Sequence, residues 1–303
     1  MSFAAQCREA ESLAKKLPPS PLASLDHLTY KDVSIPPRPH QTLFGNAFAH
    51  ATASLLLTPA RASLLCPSPT GLPLIFSQYD AVYEPSDDTF LLIDAIYHDV
   101  PKSLSQRDFQ SDSRSSPVRS VELGSGSGVN VVAMANAIAR YQGASEGGTV
   151  NAHVYATDIN LKAVQMTRST VERNGSHSEG VKFEAVQEDL LGEGSCHPWW
   201  DGDGVDFVVF NPPYVPTPEE EVGGSGIEAS WAGGLDGRVV IDRALGQISR
   251  VLRPGGVCYM VTVDDNKPEE LIETMKAEYG VCGGVVLRKK ARNEMLSILK
   301  FCK

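Results

Sequence analysis

Nothing constrains this chain more than the alternation that begins near residue 80 and continues to its end. "VRSVELG" (118–124), "AHVYATD" (152–158), "VKFEAVQ" (181–187), "VDFVVF" (205–210) and "GVCYMVTV" (256–263) are short, apolar and rich in β-branched residues, as strands require. Between them lie longer segments of helical period: "VNVVAMANAIARY", "NLKAVQMTRSTVERN", "GRVVIDRALGQISRVL" (237–252) and "KPEELIETMKAEY". Strands that alternate with helices form a mostly parallel sheet covered on both faces. The closing pair "GGVVLRKKA" and "EMLSILKFC" reads as a hairpin that adds an antiparallel strand. The expected fold is α/β, a doubly wound seven-stranded sheet of Rossmann-like type.

The first 77 residues do not share this pattern. They hold ten of the chain's twenty prolines, with "PPSP" and "PPRP" as extended spacers, and six basic residues against four acidic ones. They are expected to form a poorly ordered extension, residues 1–77, ahead of one catalytic domain, residues 78–303. The whole chain carries a net charge of −10, so the domain is more acidic than the total. Phosphate backbones are held by Lys and Arg, so this balance argues against nucleic acid as a partner. No apolar run is long enough to span a bilayer. Six cysteines, none in a C-x-x-C pair, fit neither a zinc site nor a disulfide framework, and read as isolated reduced thiols of a cytoplasmic protein. No metal ligand set is expected.

Chemistry-bearing residues fall at the ends of the strands, where open α/β sheets bind their ligands. "ELGSGSG" (122–128) follows the first strand, and its glycines Gly124, Gly126 and Gly128 allow a tight turn with close approach to a ligand. The spacing is G-x-G-x-G, not the G-x-G-x-x-G of dinucleotide sites. Glu122 precedes the turn. Asp158 ends the second strand, where a carboxylate meets a ribose diol, and Asp189 follows the third, where one can accept from an adenine amine. Either aspartate could instead cap a helix. Together, a nucleoside without phosphate charge is expected, and S-adenosylmethionine fits.

"NPPY" (211–214) follows the fourth strand, beside the first in such a sheet. Asn211 offers a side-chain carbonyl and Pro212 a backbone carbonyl, and Pro213 restricts Pro212 to an extended conformation. Two fixed acceptors suit a planar NH₂ with two donors, and Tyr214 supplies a flat face. An amide or aromatic NH₂ is a weak nucleophile, so catalysis there would be positioning and electrostatics. No further carboxylate or histidine in the motif serves as a base.

With "YEPSDDTFLL" (83–92), "ELGSGSG", "TDIN", "FNPPYVPTP" and "GIEASWAGGLDGRVVIDR" (226–243), residues 78 to 302 resemble the eukaryotic branch of the HemK-type protein-glutamine N5-methyltransferases. The resemblance implies a class I S-adenosylmethionine-dependent enzyme acting on the GGQ glutamine of class 1 peptide-chain release factors. It implies Thr89, Glu122, Gly124, Asp158, Asp189, Leu190 and Asn211 at the cofactor, with the "YEPSDDT" stretch as a lid. It also implies Asn211, Pro212, Pro213, Tyr214 and Val215 around the substrate glutamine. A small zinc-binding activator subunit is implied as partner in a heterodimer, in the cytoplasm with a nuclear pool allowed. "NPPY" by itself is shared with enzymes that methylate amino groups of DNA or RNA, which is the alternative. The long extension departs from the family pattern.

Overall fold

The structure, a computed structural model, describes residues 81–106, 116–143, 151–174, 180–192, 204–224 and 226–303. The extension over residues 1–77, Trp199 and Trp200, and most of the three polar inserts at 104–117, 141–151 and 192–204 lie outside the described residues.

The described chain runs α1 (Asp87–Gln106), β1 (Val118–Leu123), α2 (Val129–Gly143), β2 (Ala152–Asp158), α3 (Leu161–Arg173), β3 (Val181–Gln187), β4 (Val205–Phe210), α4 (Val239–Val251), β5 (Leu252–Val263), α5 (Pro268–Tyr279), β6 (Cys282–Ala291) and β7 (Glu294–Cys302). Three short 3₁₀ turns link β4 to α4, and a fourth follows β5. One sheet of seven strands results, ordered β3-β2-β1-β4-β5-β7-β6. Pairing is parallel from β3 to β5, and β7 is antiparallel to both neighbours. The expected doubly wound sheet is therefore present, with the hairpin inserting its second strand next to β5.

Every residue of β4 is buried, which is how a central parallel strand covered on both faces looks. Its side chains alternate: Phe207 and Val209 join the core under α1, α2 and α3, while Val208 and Phe210 join the core under α4 and α5. Ile96 and Ile138 close the first layer and Ile241, Leu245, Leu271 and Met275 the second.

Sequence periodicity assigns no helix to α1, because its apolar residues run almost continuously and Pro101 lies inside it. Burial explains the run, since Leu91, Leu92, Ile93 and Ile96 are all within the core. Midway along, Asp99 accepts from the buried Tyr259 hydroxyl at 2.6 Å and pairs with Lys300 at 2.6 Å, fastening α1 to β5 and β7. Cys258 is a free, buried thiol, and Cys302 is buried. Cys282, first residue of the outermost strand, is disulfide-bonded, so the expectation of isolated thiols fails there.

Candidate active site

β1 ends at Leu123 and the chain turns through Gly124, Gly126 and Gly128, with φ of 63°, 50° and 79°. A Cβ at Gly128 would lie 2.7 Å from the Cα of Thr167, so glycine is what lets α3 approach this turn. The turn is stitched down by the Ser125 amide, which donates to the Thr157 carbonyl at 3.0 Å, and by Ser125 Oγ against Thr167 Oγ1 at 2.9 Å.

Asp158, at the end of β2, accepts from the Gly126 amide at 2.8 Å and from the Asn160 amide at 2.8 Å. The N-cap of α3 is Asn160, so Asp158 does not cap that helix. Burial raises its carboxyl above the ordinary range, against those two amides. Glu122 is still more enclosed. Its Oε1 accepts from Asn130 Nδ2 at 2.9 Å, its Oε2 is buried with no hydrogen-bond partner, and burial, with Asp158 adding, pushes its carboxyl up to about 8. Asp189 lies beyond β3, where no helix precedes β4 among the described residues, and receives Arg243 Nη2 at 2.5 Å.

β4 delivers Asn211, Pro212, Pro213 and Tyr214 directly beside the β1 turn, because β1 and β4 pair in register from Ser120–Phe207 to Leu123–Phe210. Asn211 Nδ2 donates to Asp88 Oδ2 at 3.2 Å, and Asn211 Oδ1 is buried without a partner. The Tyr214 hydroxyl donates to the same Asp88 oxygen at 3.1 Å, and burial followed by this carboxylate raises its pKa. Tyr83 is pushed up to about 12, by burial and then Asp88.

The motif's backbone is held from behind by the "GIEASWAGG" segment. The Val215 amide donates to the Trp231 carbonyl at 3.0 Å, and the Gly233 amide to the Val215 carbonyl at 2.8 Å. Buried Asn266 donates Nδ2 to the Tyr214 carbonyl at 2.8 Å and to the Asp236 carbonyl at 3.0 Å. A Cβ at Gly237 would overlap the Tyr214 carbonyl oxygen, and one at Gly233 would lie 2.7 Å from that of Pro213.

These elements enclose a cavity of about 180 Å³. Thr89, Glu122, Gly124, Gly126, Asp158, Asp189, Leu190 and Asn211 all line it. Of the expected substrate residues, Asn211 and Pro213 line it, whereas Pro212, Tyr214 and Val215 are not part of the lining. Tyr83 also lines the cavity, so the stretch ahead of α1 does lie against it. Sequence reasoning missed Asp88 as a partner of Asn211: the motif itself carries no further carboxylate, and α1 brings one from more than a hundred residues away. It also missed Asn130, Arg243 and Asn266. The only hint in the sequence is that Asn130 and Asn266 are short polar residues near helix starts.

The lining explains what ligand would suit. Glu122 Oε2, Asn130 Oδ1 and Asn211 Oδ1 are buried acceptors without partners. Glu122, Asp158, Glu188 and Asp189 face one cation, Arg243, which is already paired with Asp189. An acceptor-rich, acidic cavity of this kind repels phosphate and favours a positively charged group rich in N–H donors. Among the described residues no cluster of His, Cys, Asp or Glu could hold a metal ion, and no helix is long and apolar enough to cross a membrane.

A family profile described as "Methyltransferase domain" matches residues 115–301. The chain is 37% identical to "Methyltransferase HEMK2" of Homo sapiens over 74% of its own length and 91% of that protein's. It is 30% identical to the "eRF1 methyltransferase catalytic subunit mtq2" of Schizosaccharomyces pombe, over 77% of this chain and 94% of that one. Among solved structures, a chain of the E. cuniculi Mtq2–Trm112 complex matches with a TM-score of 0.45 at 24% identity, covering 73% of this chain and 98% of that one.

Proposed function

The chain belongs to the methyltransferase domain family, and from that premise we propose that it transfers a methyl group from S-adenosylmethionine to the side-chain nitrogen of the GGQ glutamine in a class 1 release factor. The relatives' names support a release factor as substrate. The observation that carries the choice of an amide is Asn211 Oδ1, a buried acceptor with no partner at the cavity wall.

When bound, S-adenosylmethionine supplies an electrophilic methyl on a sulfonium sulfur. Asp158 would hold the ribose, and Asp189, paired with Arg243, would meet the adenine. Glu122 and Asn130, whose free acceptors are buried, suit the ammonium of the methionine part. Gly124 and Gly126 leave open space where side chains would otherwise stand. Asn211 Oδ1 and the Pro212 carbonyl accept the two N–H bonds of the glutamine amide, turning its nitrogen lone pair toward the methyl. Tyr214 and Val215 shape the amide's other side. In the transfer, an N–C bond would form as the methyl's bond to sulfur breaks, and the same two acceptors would stabilise the positive charge growing on nitrogen until its proton is released to solvent. Acceptors already in place add no reorganisation cost.

Three consecutive glutamates, Glu219 to Glu221, are exposed next to the motif and favour a basic protein segment over phosphate. A small zinc-binding activator subunit would complete the enzyme as a heterodimer. The outer edge of β3 suits it: among the described residues no strand pairs there, and Val181 and Phe183 border a surface hollow with Val131, Ala135 and Val171. Release-factor methylation would place the protein in the cytoplasm.

The deciding experiment co-expresses the chain with its activator and supplies labelled cofactor with release factor, with the same factor lacking the GGQ glutamine, and with DNA or RNA. Label confined to intact release factor is expected. Equal label on the glutamine-replaced factor or on nucleic acid would overturn the reading in favour of the amino-group alternative.

A further inference from the structure

Asp88 touches the proposed chemistry only through other residues, yet it is 3% exposed and fully engaged. Its Oδ1 accepts from the Thr89 amide at 2.7 Å and from the Thr89 hydroxyl at 3.2 Å. Its Oδ2 accepts from Asn211 Nδ2 at 3.2 Å and from the Tyr214 hydroxyl at 3.1 Å. Asp88 lies in the first turn of α1. Asp99, about three turns further on, anchors the same helix through Tyr259 and Lys300.

We propose that Asp88 is the positioning residue that makes Asn211 an acceptor toward the substrate. This rests on the reading that Asn211 receives an NH₂ group. The torsion that orients an asparagine amide is broad and nearly two-fold, so either its oxygen or its NH₂ can face a given direction at similar energy. A carboxylate accepts and cannot donate, so only Nδ2 can face Asp88. Oδ1 then has to face the other way, which is why it is the atom left without a partner at the cavity wall. Without that constraint half the population would present donors to a donor, which repels an incoming NH₂. The Tyr214 hydroxyl reads the same oxygen, so the amide and the ring of the motif are held in register by one carboxylate on another element.

The assignment separates orientation from packing. Asp88→Asn keeps the size of the side chain but allows its own NH₂ to face Asn211 Oδ1 and turn the amide over. It is expected to lower kcat on release factor roughly 100-fold, with cofactor Kd within about threefold of wild type and thermal stability retained. Combining Asp88→Asn with Asn211→Asp exchanges the two groups: the amide at 88 can donate to the new carboxylate, whose second oxygen is again an acceptor facing the cavity. The exchange is expected to recover at least about tenfold of the lost kcat. An Asp88→Asn enzyme with wild-type kcat, or an exchange variant no better than Asp88→Asn alone, would overturn the inference. Failure of the underlying reading is a separate result: wild-type enzyme that labels release factor with and without the GGQ glutamine equally.

Discussion

The loops at the ends of β1 and β4 stand side by side on one cavity, yet they are held in different ways. The β1 turn is held by its neighbours in the sheet order: Thr157 and Asp158 from β2, and Thr167 from α3, the next helix. The β4 loop is braced from several directions, by residues as many as 123 positions away in the chain. Asp88 reaches it from α1, Trp231 to Gly237 from the long connection to α4, and Asn266 from beyond β5. A turn that binds a common cofactor needs only its own glycines and the next strand's acid. A loop that must hold a weak nucleophile at one angle needs bracing from several directions, because misplacement by a fraction of an ångström is costly to rate.

If that contrast is right, damage to the β4 loop strikes transfer and damage to the β1 side strikes cofactor binding. The largest effect is expected from Asn211→Ala, which should lower kcat by about a thousandfold or more with cofactor Kd, measured calorimetrically, within about threefold. Loss of affinity comparable to Asp158→Ala would erase the distinction between the loops. Next is Gly237→Ala, at a position outside the cavity lining. Its φ of 66° and the overlap with the Tyr214 carbonyl both oppose a side chain. It should cost about 2–4 kcal/mol of stability and, in the folded fraction, about a hundredfold in kcat. A transfer rate equal to wild type would show that the bracing is dispensable.

Asp158→Ala should act in the opposite sense, raising cofactor Kd roughly 10- to 100-fold through loss of charge-assisted hydrogen bonds, with kcat at saturating cofactor nearly unchanged. The smallest effect is a pH dependence. Glu122 is pushed up to about 8, so it is protonated in the free protein at neutral pH. A cationic ligand favours the carboxylate, so its binding must release a proton below pH 8. Affinity should therefore rise as pH increases toward 8, by at most about tenfold per unit, and level off above. Titrations in buffers of different ionisation enthalpy would detect the proton, and Glu122→Gln should remove the dependence. A flat profile in the wild-type protein would mean that no cation is bound beside Glu122.

The same contrast governs what could be read in advance. Glu122, Gly124, Gly126, Asp158 and Asp189 each stand within three residues of a strand end, so the strand pattern already places them on one crevice. Asn211 and Pro213 follow by the same rule. Asp88 lies in a helix whose near-continuous apolar run concealed its period, and its contact with Asn211 spans 123 positions. Asn266 and Gly237 look like ordinary turn residues, and their pairing with the Tyr214 carbonyl depends on how the connection from β4 folds back.

The sequence alone determined the sheet, its two covered faces and the chemistry at the strand ends, because side-chain period and glycine backbone freedom are local properties. It also determined that "NPPY" offers acceptors, since residue type settles that. The tertiary structure decided which way the Asn211 amide faces, through a carboxylate brought in by α1, and where the motif's backbone rests, through Asn266 and the glycines of the connection. Those are questions of distance between segments remote in the chain. They are answered only when burial of the two apolar cores forces the segments together.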